Sequence, residues 1–186
     1  MDVIGYDERA GARVADLIAG IPEDAWEDAT PCEGWSVRDL VTHLVAGNVK
    51  YQEIAAGGDF QPGAPDVSIG DDPVATYRET LERMLSAWRA PGALDREIAL
   101  PRGRGRAEAA AWLHLAETLG HGWDLATATT QSAGFDDVVV AACLAECRHR
   151  MPPERPPTSP FADAVSVEGG LLIDELAAYL GRSPAT

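Results

Sequence analysis

Between Trp112 and Thr129 the chain reads WLHLAETLGHGWDLATAT. At about 100° per residue an α-helix places His114, Glu117, His121 and Asp124 on one stripe roughly 80° wide. The opposite face carries Trp112, Leu115, Ala116, Leu119 and Trp123, and no Lys or Arg occurs from Ala107 to Cys147. A solvated helix face mixes both signs of charge, whereas this one offers only imidazoles and carboxylates. Such a stripe points to a metal ion, and its apolar back requires other helices to close around it.

The rest of the chain supplies those helices. Ala10, Val14, Leu17 and Ile21 recur at helical spacing, predicting a first helix from about Asp7 to Gly20 that Ile21-Pro22 ends. Ser36 with Asp39 three residues on is a capping-box pattern, so a second helix starts there, with Val37, Leu40, Val41, Leu44, Asn48 and Tyr51 on its inner face. Asn48 is then a polar group aimed at the core and requires hydrogen-bond partners. His43 falls on the flank of that stripe, where a side chain lines a cleft between helices or lies exposed. Residues 55–71, rich in Gly and Pro, read as a long loop. Asp72 caps a third helix that opens on Pro73 and ends at Pro91-Gly92. REIALP reads as one short strand and PRGRGR as a turn. A further helix from about Asp136 to Arg150, an irregular Pro-rich tail over 151–170 and a short helix from Leu171 to Leu180 complete the chain. The expected fold is all-α, an antiparallel four-helix bundle with a short additional C-terminal helix, in a single domain spanning 1–186.

Composition narrows the partners. Fifteen basic against thirty acidic residues leave a net charge of -15, which repels nucleic acid and anionic membrane surfaces. With no basic-then-apolar leader and no long apolar run, a cytoplasmic protein is expected. Cys32, Cys143 and Cys147 are expected as reduced thiols, the latter two as small packed hydrophobes. Exposed apolar helix edges would allow a homodimer.

Glu117 and His121 stand one turn apart, so both can reach one ion. His114 is two turns, about 10.5 Å, from His121, a wide gap for a shared ion. His43 is the better third donor if its helix is a neighbour. Two histidines and one carboxylate leave coordination positions open, a catalytic pattern suited to Zn²⁺ and also to Ni²⁺ or Fe²⁺. Asp124 either orients an imidazole or lies at the surface. Gly120 and Gly122 each disfavour helix by about 1 kcal/mol relative to Ala, so they either break the helix near His121 or mark close packing.

The segments TPCEGWSVRDLVTHLVAGN and AETLGHGWDLATAT, with the closing AAYLGRSP, resemble the actinobacterial branch of the DinB-like superfamily, the metal-binding domain of mycothiol-dependent maleylpyruvate isomerase. The resemblance covers about Tyr6 to Pro184. It implies a four-helix bundle with a divalent metal, usually zinc, on His43, Glu117 and His121. In the isomerase a further C-terminal domain contributes an arginine to substrate binding, and with 186 residues that domain is not expected here. The expected activity is therefore that of a metal-dependent S-transferase or isomerase joining mycothiol or a similar thiol to a small electrophilic substrate. A metal-dependent hydrolase and a non-catalytic metal- or ligand-binding bundle are the alternatives. His114 lies outside the family pattern and is either a packed histidine or a proton shuttle. Arg102, Arg104 and Arg106 form either a solvated turn or an attractor for a carboxylate-bearing substrate.

Overall fold

A computed structural model describes residues 2–100, 103–156, 159, 161–167 and 169–184. The order of elements is α1 (Val3–Ala19), α2 (Val37–Ala55), α3 (Pro73–Trp88), β1 (Glu97–Leu100), β2 (Gly103–Arg106), α4 (Glu108–Ala128), α5 (Asp137–Arg150) and α6 (Leu172–Tyr179). The first four helices pack in a ring, α1 on α3 and α4, and α2 on α3 and α4. α5 and α6 pack on each other and on the outer side of α4. α4 is thus enclosed on nearly every side, and its buried residues run all around it, from Ala110 and His114 to Trp123 and Leu125.

Local chemistry explains where the helices begin. Asp2 accepts from the Gly5 amide, starting α1 at Val3, four residues before the expected Asp7. Ser36 and Asp39 form a full capping box at α2, and Asp72 accepts from the Ala75 amide ahead of Pro73 at α3. Asn48 finds its partners in α3, donating to Thr80 Oγ1 at 3.2 Å. Gly120 and Gly122 do not interrupt α4. A Cβ on Gly122 would stand 2.5 Å from Phe135 Cζ and 3.1 Å from Val14 Cγ2, so the missing side chain is what lets neighbouring elements approach the helix.

PRGRGR departs from the expected turn. Gly103–Arg106 pairs antiparallel with Glu97–Leu100, in the register Glu97↔Arg106 and Leu100↔Gly103. This hairpin pins the long loop, since the Phe60 amide donates to Ala99 O and the Ala99 amide to Asp59 Oδ1. The loop is thereby held against the bundle with Phe60 turned toward α2.

Candidate metal centre

A cleft of about 1080 Å³ is lined by α2 through His43, Gly47 and Lys50, and by α4 through Glu117 and His121. Loop residues Phe60 to Ala64 and the turn ahead of α2 complete its walls. That turn is built by Thr30, whose hydroxyl accepts from the Cys32 amide and donates to Trp35 O, while Gly34 takes a positive φ of 78°. The result is that Cys32 and Trp35 face the cleft. The imidazoles of His43 and His121 meet edge to face with centroids 4.9 Å apart, and Trp35 lies 4.7 Å from His43 and 6.0 Å from His121.

Burial, reinforced by His121, pushes His43 down to about 4, which keeps its imidazole neutral and its lone pair free at neutral pH. Glu117 is raised by burial, a shift opposed by the charges of His114, His121 and Lys50 around it.

Behind His121 stands a polar clamp. His121 Nδ1 lies 3.0 Å from Asp124 Oδ2, and Arg182 donates to both oxygens of Asp124, from Nη2 at 2.8 Å and from Nε at 3.2 Å. Burial alone would raise Asp124, but these hydrogen bonds and the Arg182 charge hold it down to about 2. An ionised carboxylate only accepts, so Nδ1 carries the proton and Nε2 is the ring's free coordinating atom. Arg182 reaches this point because Gly181, at φ 90°, turns the chain back after α6, with the Arg182 amide on Ala177 O. The Cys32 thiol donates to Asp124 Oδ2 at 3.2 Å, and burial together with that carboxylate pushes it up to about 12.

Two donor sets therefore share His121. Cys32, His121 and Asp124 offer ligand atoms within 4.8 Å of one another. The Arg182 guanidinium already fills the cation position there, 2.8 Å from Asp124 Oδ2 and 3.4 Å from His121 Nδ1. His43, Glu117 and His121 instead line the open cleft, with ligand atoms that do not all come within 4.8 Å of one another; no arginine contacts His43 or Glu117 among the described residues, and the three carry the donor chemistry of a divalent-ion site.

The four groups of the α4 stripe do not share one environment. His114 turns into the core, where its Nδ1 lies 2.7 Å from Asp7 Oδ2 of α1, both side chains nearly inaccessible. Burial alone would lower His114, yet Asp7 and then Glu117 raise it. His114 is packed in the core with a buried acid as partner. The Tyr51 ring lies tilted against His114 with centroids 4.7 Å apart, and its buried hydroxyl couples to Glu117 while stopping short of hydrogen-bond geometry with any described atom. Asp124 is buried against His121 and does not lie at the surface. Arg104 and Arg106 point outward and pair with Glu97 and Asp95, and Arg102 lies outside the described residues. Neither of the two described arginines lines the cleft, and of the hairpin's described residues only Leu100 reaches its wall. Cys143 and Cys147 are buried among apolar side chains with their sulfurs 3.9 Å apart.

Sequence reasoning passed over Asp7, Lys50 and Arg182. Arg182 had a partial signal, since LGRSP belongs to the tail segment that carried the resemblance.

These features define a class: an all-α bundle domain with two imidazoles and a carboxylate facing one cleft between two of its helices. Residues 8–126 match the family described as Mycothiol maleylpyruvate isomerase N-terminal domain, and the chain belongs to that family. It is 32% identical over 185 residues to Uncharacterized protein MT0763 and to Uncharacterized protein Rv0738 of Mycobacterium tuberculosis, strains CDC 1551 / Oshkosh and ATCC 25618 / H37Rv. Each match covers 98% of this chain and 99% of the relative. Among solved structures, the mycothiol-dependent maleylpyruvate isomerase superposes with a TM-score of 0.60 at 15% identity, over 77% of this chain and 67% of that one. A histidine-to-alanine mutant of the same enzyme gives 0.56. At that identity the superposition speaks for the fold. No helix among the described residues is long and apolar enough to cross a membrane.

Proposed function

We propose that His43, Glu117 and His121 hold a divalent metal ion, zinc in the first instance and nickel or iron(II) as alternatives, and that the protein is a metal-dependent S-transferase or isomerase. Its cosubstrate on this reading is mycothiol or a similar low-molecular-weight thiol, acting on a small electrophile. The observation that carries the proposal is that donors from α2 and α4, 74 positions apart, line one cleft beside a histidine whose Nδ1 is already committed to a carboxylate. Family membership supports the choice of thiol.

When bound, the cation would stabilise thiolate over thiol and so supply a nucleophile near neutral pH. The chain's own residues do the rest. Asp124 fixes the tautomer and direction of His121, and Arg182 keeps Asp124 ionised and in place. His43 resists protonation and stays available as a ligand. Trp35, Phe60 and Phe161 give the cleft apolar walls that limit water around the reacting groups. The Cys32 thiol, held protonated by burial and Asp124, does not compete with the small thiol as nucleophile.

The test is metal analysis of protein purified without chelator or metal-affinity tag, beside Glu117→Ala, followed by thiol consumption with an electrophile. Stoichiometric metal lost in Glu117→Ala, with thiol turnover abolished in His121→Ala, is the expected result. Turnover without any thiol would reassign the same donors to a hydrolase, and equal metal content in both proteins would overturn the ligand set.

A further inference from the structure

Of the fifteen basic side chains in the sequence, Lys50 alone is a lysine. It stands on α2 seven residues after His43, two turns along the same face, and lines the same cleft. Its ammonium lies 4.1 Å from the centroid of the Phe60 ring and donates to Gly63 O at 2.8 Å. Neither contact neutralises it, and no described carboxylate lies within ion-pair distance of it. The arginines near the cleft are differently placed: Arg182 is spent on Asp124, Arg96 donates to Ile54 O and Ala55 O at the end of α2, and Arg104 and Arg106 hold surface acids.

An ammonium carries three donors, and among the described residues two of them find no acceptor inside a concave site of a protein with a net charge of -15. The aromatic face and the single carbonyl hold the charge in position without cancelling it, on a stem flexible enough to swing toward a ligand. Glu33 and Glu117 also line the cleft, which disfavours a multiply charged phosphate and leaves a single carboxylate as the fitting anion.

We infer that Lys50 anchors a carboxylate of the small molecule bound in the cleft, and so sets which ligands the site accepts. The inference rests on the reading of the cleft as a small-molecule site, and it does not require the metal. The carboxylate belongs to the electrophile, or to the thiol only where that thiol is itself an acid, as mycothiol is not, and the two sources separate experimentally.

With one lysine, amine chemistry reports on a single side chain besides the N-terminal amine. Reductive methylation of the full chain, followed by peptide mass spectrometry, is run with succinate, with its neutral diamide, with N-acetylcysteine and with neutral N-acetylcysteamine, at matched ionic strength and with and without chelator. Acids are expected to slow methylation of Lys50 by about tenfold, the loss of access that goes with one charge-assisted hydrogen bond, while the neutral analogues and the N-terminal amine show no change. Protection by succinate places the anchor on the electrophile, and protection by N-acetylcysteine alone places it on the thiol. Calorimetric binding of the protecting acid should weaken by about tenfold in Lys50→Gln and persist in Lys50→Arg. Equal methylation rates in all five conditions, the unliganded protein included, would overturn the inference. Protein that loads metal and shows no protection removes Lys50 alone, whereas protection without metal leaves Lys50 standing and the metal reading at fault.

Discussion

Asp124 Oδ2 lies 3.0 Å from His121 Nδ1 with the acid fully buried, so the one imidazole that belongs to both donor sets has its orientation decided from behind. If His121 coordinates through Nε2, removing that acceptor frees the ring to rotate and to change tautomer. Asp124→Asn is expected to weaken divalent metal affinity by about 10–100-fold, read by competition with a chromophoric chelator. Unchanged affinity would separate Asp124 from the centre.

The same carboxylate predicts an acid limb. Its native value of about 2 lies below the ordinary 3.8, so the native state binds this proton later than the unfolded chain. The stabilisation is complete above the ordinary value and is lost as pH falls through about 2. Urea midpoints of the wild type and Asp124→Asn should therefore differ by a constant amount above about pH 5 and converge between about pH 4 and 2. A gap that stays constant to the lowest pH would count against the clamp.

Asp7 and His114 form a pair almost closed to solvent, one partner on α1 and the other on α4. Truncating a buried ion pair leaves the other charge uncompensated. Asp7→Asn should cost about 3 kcal/mol by chemical denaturation, with helical content retained below the transition. A loss under about 1 kcal/mol would mean that the pair is not charged in the native state.

Gly122→Ala sets two effects against each other. Alanine improves helix propensity by about 1 kcal/mol, while its Cβ collides with Phe135 and crowds Val14, which is fully buried. Overpacking of this kind costs about 1–3 kcal/mol, so a net destabilisation of about 1 kcal/mol is expected from thermal or urea unfolding. A stabilised variant would show that Phe135 moves aside freely.

Metal removal gives a further check. A chelator should lower the melting temperature of the wild type and leave that of Glu117→Ala unmoved, because only a native state that binds the ion gains from it. Equal shifts in the two proteins would point to a different ligand.

What the sequence made legible was local. The Ser36 and Asp39 box is written within four residues, and the enclosed character of α4 shows in its lack of any basic residue. Helical spacing put His43, Glu117 and His121 on faces that line one cleft, while the tightest donor cluster, Cys32 with His121 and Asp124, drew on a residue that no helix period picks out. It erred in treating the whole stripe as one environment, because spacing describes a helix face and not which neighbour covers each turn of it. His114 faces α1 and Asp7, 107 positions earlier, and no local pattern announces a partner at that separation. Arg182, 58 positions from Asp124, was hidden for the same reason. Strand β2 was missed because GRGR carries no apolar side chain, and its pairing is dictated by Glu97–Leu100 across the hairpin.

The turn at Gly181 bears on how relatives diverge. It makes an arginine three residues past α6 the counter-charge of an acid in the middle of the bundle, so neither position can drift alone. Homologues that lose the arginine should lose the acid with it, and aligned sequences ought to show positions 124 and 182 changing as a couple.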